Sequence, residues 1–579
     1  MKRYTGFCAY FVLLSFCLTP FNLFAPGADL TPQEPQQSPQ DILHYISSSW
    51  DVLTRSMAKC ETVSDPKTGE TSVVYLPAGF PMPPPVQGMQ KNCNVRVQQL
   101  PATIETLGQL DGSKIRPPGI LYLENPYVVP GGRFNEMYGW DSYFILRGLM
   151  REGKVDLGRG MVDNFFFEID HYGGVLNANR TYYLTRSQPP FLTSMILAVH
   201  EAEQARPHDD REWLVAAYSH AVRDYQLWIR EPHLAGDTGL SRYYDFGEGP
   251  VPEMADASPY YPGVARYFLL HSQTANGYLG RANEREKLSS PVGPTFSVYL
   301  CEQHTGAIAA GEMQGPLPAK GCETVETIGL TRDFYKGDRA MRESGFDTSF
   351  RFEPYSAGAH HYAPVCLNSL LYKTEKDLER LSRELGREQE SHNWEQQAAK
   401  RRNSIDKYLW NAARGLYFDY DFTRHTQSSY EYVTTFYPLW AGLASPEQAA
   451  AVLRNLKIFE QPGGLAMSGQ ESAGQWDYPY GWAPTNLIAV DGLRRYGYET
   501  DANRISQKFL SMVLENFRRD GTIREKYNVV TRSSETHIGA GYTENVIGFG
   551  WTNAAFLELL HALPNEISSR LGVNRSSRD

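Results

Sequence analysis

Apolar residues that return every three to four positions mark out most of this chain. Between residues 211 and 229 they fall at Trp213, Ala216, Ala217, Ala221, Tyr225 and Trp228, one face of a helix. The same period predicts helices over residues 41–57, 191–204, 365–385, 391–410, 446–456, 485–496, 501–516 and 553–563. Asp41 stands at the start of the first, where an acidic side chain suits a helix N-terminus. No run alternates apolar and polar residues in the way a half-buried strand requires. Long connections rich in glycine and aromatic residues join the helical stretches, and residues 77–85 form a proline-rich loop. The pattern predicts a mostly helical fold and specifies nothing finer.

Composition narrows the function classes. The chain has 579 residues, 41% of them hydrophobic, enough for a large core. Its formal net charge is −10 and it holds no run of Lys and Arg, which argues against a nucleic-acid partner. Aromatic residues reach 13%, as sugar stacking and ordinary cores both demand. Lys2 and Arg3 precede an apolar run at residues 7–18, with small residues around Ala25 to Ala28, so residues 1–28 read as a signal peptide. The rival reading is a retained N-terminal anchor. Phe16 before Cys17 argues against a lipoprotein cleavage site. A periplasmic or secreted location, no membrane contact after cleavage and a monomeric state are the resulting expectations.

Five cysteines follow the signal segment, and Cys60–Cys93 and Cys301–Cys322 are the sequence-local pairings, leaving Cys366 over. No metal is expected. No His-Glu-x-x-His motif occurs, and His360 and His361 are adjacent, so on a helix they would point apart.

The densest candidate chemistry is residues 130–143, where Gly131, Gly132, Arg133, Glu136, Trp140 and Asp141 stand close together. The glycines permit a tight turn. The guanidinium and carboxylates offer hydrogen bonds to hydroxyls, and the indole offers a flat apolar face. That mixture suits a sugar, and it equally describes a turn into a helix with a core tryptophan. The whole string resembles the first signature of the trehalase family, glycoside hydrolase family 37. Some 340 residues later, residues 475–484 (Gln-Trp-Asp-Tyr-Pro-Tyr-Gly-Trp-Ala-Pro) resemble the second signature. Residues 177–190, 343–347, 525–527 and 548–553 resemble shorter family blocks.

The resemblance implies an all-α fold, an (α/α)6 barrel whose long loops build the active site. It divides the chain into the signal peptide, a flexible lead-in at 29–40, a glycosidase domain at 41–565 and a tail at 566–579. It implies cofactor-free, inverting hydrolysis of trehalose. Inverting glycosidases use two carboxyl groups about 6.5–9.5 Å apart, an acid for the leaving oxygen and a base for the attacking water. Asp347 falls on the family's acid and Glu525 on its base. Asp347 must then stay protonated near neutral pH, and Phe346 and Glu343 are the expected causes. Arg133, Trp140, Asp141, Asn177, Arg186, Ser187 and Gln188 match positions that hold the buried sugar. Glu253 and Gly345 match positions near the leaving glucose, and Glu544 matches a further acidic ligand.

Four departures qualify the resemblance. Val251 stands where the family has arginine before Pro-Glu, which opens the alternative of a related α-glucosidase acting on another disaccharide. Arg266, Arg332 and Arg339 are candidates to replace that guanidinium. Phe346 replaces a tryptophan and Cys366 an aspartate, both read as structural. Residues 255–333 form an excursion longer than the family's usual connection. It reads either as an ordered element at the active-site mouth, pinned by Cys301–Cys322, or as a surface insertion without a role. A non-catalytic sugar-binding protein would not need both Asp347 and Glu525.

Overall fold

The computed structural model describes residues 37–64, 72–204, 210–255, 260–275, 277–281, 293–301 and 322–573. The expected signal peptide and most of the lead-in lie outside these residues. From residue 41 the chain alternates outer and inner helices. Outer α1 (Asp41–Leu53) leads to inner α2 (Gly139–Arg151), then outer α3 (Val155–His171), inner α4 (Leu192–Glu203) and outer α5 (Arg211–Trp228). The excursion brings α6 (Tyr260–Leu270) and α7 (Arg332–Glu343). The barrel then resumes with inner α8 (Val365–Glu384), outer α9 (Glu388–Tyr408), inner α10 (Tyr437–Trp440) and outer α11 (Pro446–Arg454). Inner α12 (Ala483–Arg495), outer α13 (Glu499–Asp520) and inner α14 (Gly550–Ala562) complete it. Each inner helix touches the next, and α14 packs back on α2, so the ring is closed. This is the expected (α/α)6 barrel.

Inner helix α2 is one element that periodicity missed. Helix α2 buries Trp140, Phe144, Ile145, Leu146 and Leu149 on nearly every side. A helix apolar all round has no stripe to detect, and its sequence reads as a motif instead. Polar closure of the ring is specific. Arg147 on α2 donates through Nε to Glu558 on α14 at 2.9 Å and also pairs with Asp491 on α12. Local signals set several helix ends. Ser445 and Gln448 form a reciprocal capping box at α11. Gly521, left-handed at φ 66°, ends α13.

Several boundaries differ from expectation. Helix α1 stops at Leu53, short of residue 57. Residues 565–570 are helical and Val573 is buried, so the chain packs beyond the expected end of the domain. A three-stranded parallel sheet was not predicted. In it β1 (Ser72–Leu76) lies between β2 (Val95–Gln99) and β3 (Ile120–Leu121). Strand β1 is buried on both faces, which erases alternation. The Cys60–Cys93 disulfide braces this region, with Cα atoms 5.5 Å apart.

The excursion holds a second, antiparallel sheet of β4 (Leu279–Arg281), β5 (Thr295–Cys301) and β6 (Cys322–Leu330), with β6 central. The backbone sets Cys301 directly opposite Cys322, while their side chains lie outside the described residues. Cys366 is a free, buried thiol between the Tyr243 hydroxyl and the Arg351 guanidinium. Among the described residues no helix is long and apolar enough to cross a membrane.

Candidate active site

A cavity of about 1090 Å³ opens where the loops that lead into the inner helices converge. Its apolar wall is a cluster of tryptophans. Trp140 stands 5.7 Å from both Trp476 and Trp551, and Trp476 stacks on Trp482 at 3.7 Å with the rings nearly parallel. Three of the four come from the sequence motifs, and Trp551 from the block at residues 548–553. Phe346 packs edge-on against Trp140 and Trp476, behind Asp347.

The polar lining contains Arg133, Asp141, Asn177, Arg186, Gln188, Glu253, Asp347, Glu525 and Glu544, with Gly345 among them. Gln188 accepts the Trp140 backbone N–H at 2.9 Å, which fixes the first turn of α2. Arg186 pairs with Glu253, yet Arg186 Nε and Glu253 Oε2 have no hydrogen-bond partner in the protein. Buried polar atoms in that condition are strong sites for ligand hydroxyls. Arg133 pairs with Glu544 at the more exposed mouth. Gly345 is at φ +76°, and a Cβ there would come within 2.9 Å of the Trp140 ring. Only glycine meets both demands.

Ser187 does not reach the cavity. Its hydroxyl donates to the Val175 carbonyl at 2.7 Å and its N–H to Glu343 at 3.2 Å. Glu343 therefore faces away from Asp347, also accepting the Tyr244 N–H at 2.6 Å. The expectation that Glu343 perturbs Asp347 fails for that reason.

Burial pushes the Asp347 carboxyl up to about 7, helped by Glu253 and opposed by Arg342 and Arg186. Asp141 is raised well above the carboxylate range by burial, with Glu525 and Asp347 adding to it. Three carboxyl groups thus share one field.

Two residues in and behind the cavity wall had no sequence signal. Arg342 approaches Asp347 at 3.4 Å and the Tyr542 hydroxyl at 3.3 Å. In sequence it is an ordinary cation in the last turn of a helix. Lys526 reads as half of a solvated Glu-Lys pair, yet it is fully buried. Strand β7 (Tyr480–Trp482) pairs with β8 (Lys526–Asn528) and sets Lys526 opposite Trp482. From there Nζ donates to Glu525 at 2.9 Å and Gln475 at 3.0 Å. The Gln475 amide in turn donates to the Asp347 carbonyl at 2.5 Å.

Val251 is a correction. Its side chain is fully buried in a second apolar cluster, outside the cavity. None of the three proposed substitutes is a cavity residue. Arg332 pairs with Glu248, Arg339 with Asp245, and Arg266 is exposed. The guanidinium beside the acid is that of Arg342. His360 and His361 lie on a 3-10 turn rather than a helix, so both rings reach Asp333, at 2.9 and 3.5 Å. Among the described residues these three form the one group with metal-ligand geometry, and they lie outside the sugar cavity.

The family model for trehalase matches residues 31–261 and 329–564. The chain belongs to the trehalase family. It is 35% identical to the cytosolic neutral trehalase of Pyricularia oryzae, over 90% of this chain and 74% of that protein. It is 36% identical to the cytosolic neutral trehalase of Saccharomyces cerevisiae, over 77% of this chain and 58% of that protein. The solved structure of neutral trehalase Nth1 from Saccharomyces cerevisiae superposes with a TM-score of 0.72 at 33% identity. That match covers 93% of this chain and 96% of that one. These family members are named cytosolic, which overturns the periplasmic or secreted reading.

Proposed function

We propose that this chain hydrolyses α,α-trehalose to two glucose molecules with inversion at the attacked carbon. The observation that carries the reading is the pair Asp347 and Glu525 facing one tryptophan-walled cavity. Asp347 acts as general acid. With its pKa raised to about 7 it holds a proton in a large share of molecules at neutral pH. Glu525 acts as general base on the attacking water, oriented by Lys526. Trp140 offers a stacking face, while Arg133, Asp141, Asn177, Arg186 and Gln188 hold the buried glucose. Glu253, Gly345 and Arg342 flank the leaving glucose, and Glu544 with Arg133 borders the mouth. Val251 is buried outside the cavity and Arg342 supplies a guanidinium beside Asp347, which supports trehalose over another disaccharide.

Glucose release from trehalose, with maltose and kojibiose alongside, tests the substrate. Proton NMR at the earliest times tests the stereochemistry, where β-glucose must arise from one half of the substrate. Early product that is α-glucose alone, or a preference for maltose, overturns the reading.

A further inference from the structure

The family model matches up to residue 261 and again from residue 329, so residues 262–328 lie outside it, while Tyr260, Tyr261, Asp338 and Arg342 lie within it. The excursion is not a loose decoration. Val264, Phe268, Tyr278 and Ile328 pack with Phe334 and Tyr355 in a second apolar cluster, separate from the barrel core. Strand β6 then runs directly into Thr331, whose hydroxyl caps α7. Helix α7 carries Asp338 and Arg342 towards the catalytic pair.

At that junction the first turn of α6 meets the middle of α7. Tyr260 donates to one oxygen of Asp338 at 2.8 Å, and Tyr261 donates to the other at 2.9 Å. Both tyrosines are buried, and Asp338 is fully buried. Asp338 faces Arg342 one turn on, with Nη2 3.3 Å from Oδ1. The Arg342 guanidinium also lies over the Tyr260 ring, 5.1 Å from its centre. Its far side reaches Asp347 and Tyr542. Arg342 is thus shared between two carboxylates, one structural and one in the cavity, and the tyrosines bias the sharing. Two O–H donors draw negative charge from Asp338 and weaken its hold on the guanidinium.

We propose that the excursion is a positioning element for the active site: by docking Tyr260 and Tyr261 on Asp338 it sets how far Arg342 reaches towards Asp347 and the leaving sugar. The proposal rests on Asp347 being the general acid. Tyr542, from the loop opposite, completes the same wall. The groups that face Asp347 are Arg342 from α7, Arg186 and Glu253 from the loops beside it, Tyr542, and Asp141 from α2.

The test compares two changes with opposite signs. In the Tyr260→Phe, Tyr261→Phe double variant Asp338 regains its full charge and draws Arg342 away from Asp347. The acid then holds its proton more tightly, so the basic limb of kcat/KM for trehalose moves up by about half a unit or more. KM rises as Arg342 leaves the sugar. In Asp338→Asn the rival charge is gone, Arg342 turns to Asp347, and the limb moves down. Damage to folding alone would lower Tm and yield without shifting the two limbs in opposite directions. If the double variant does not accumulate, the Tyr261→Phe single variant and Asp338→Asn carry the same comparison. Limbs that coincide with wild type in both variants, or shift the same way, overturn the proposal. Turnover of trehalose by the wild type, and its loss in Asp347→Asn, tests the underlying function separately.

Discussion

The two walls of the cavity rest on different foundations. One wall carries Trp140 and Asp141 on the first turn of inner helix α2, braced by Gln188 and the tryptophan cluster. The opposite wall carries Asp347, Arg342 and Tyr542, supported by α7, the excursion and a loop. The first wall is locked to the closed ring of helices. The second is held by a chain of buried hydrogen bonds and ion pairs. A sugar-gripping surface gains from rigidity, whereas a proton donor needs a tuned field. The two long signatures concentrate on the first wall, while the second also leans on the excursion, most of which the family model does not match.

The largest expected effect breaks the second wall at its centre. Asp347→Asn removes the proton and lowers kcat by about 10²–10⁴-fold, with circular dichroism unchanged. Activity above a tenth of wild type would remove Asp347 from the acid role. Next is Lys526→Met, which strips Glu525 and Gln475 of their shared cation. Hydrogen bonds to a charged group are worth about 1.5–3 kcal/mol, so kcat/KM falls roughly 10–150-fold. A change below twofold would mean that Lys526 only fills space.

The first wall is probed by Gly345→Ala, where the two walls touch. The added methyl meets the Trp140 ring in a left-handed backbone, so stability falls by about 1–3 kcal/mol, and thermal unfolding measures it. A Tm equal to wild type would show that the ring yields freely.

A smaller effect separates function from folding. The Asp347 carboxyl is raised to about 7, so catalysis as an acid declines as pH rises through that value. Stability has the same sign. A group whose pKa is higher folded than unfolded supports folding fully below its unfolded value, near 4, and loses that support up to its folded value. The Tm of Asp347→Asn minus that of wild type therefore grows between about pH 4 and 7 and then levels off. A difference that is flat across that window contradicts the raised pKa. The smallest effect on turnover belongs to Val251→Ala. It loosens the second cluster and lowers Tm, while KM for trehalose stays at the wild-type value. A raised KM would return position 251 to the substrate.

By itself the sequence determined the class of fold, the family and most of the polar groups that line the cavity. Amphipathic helices announce themselves through their period, and functional strings such as residues 130–143 and 475–484 survive as contiguous text. Helix α2 and strand β1 escaped that reading because burial on all sides leaves no period. Tertiary structure decided which charges matter. Glu343 is two residues from Gly345 yet turns to Ser187 and Tyr244, while Glu253, distant in sequence, raises the acid. Lys526 looks solvated until β7 and β8 pair. Arg342 looks like a helix-end cation until α6 docks on Asp338. The physical reason is common to these cases. A pKa or an ion pair depends on burial and on distances of a few ångströms, and residues far apart in the chain set both.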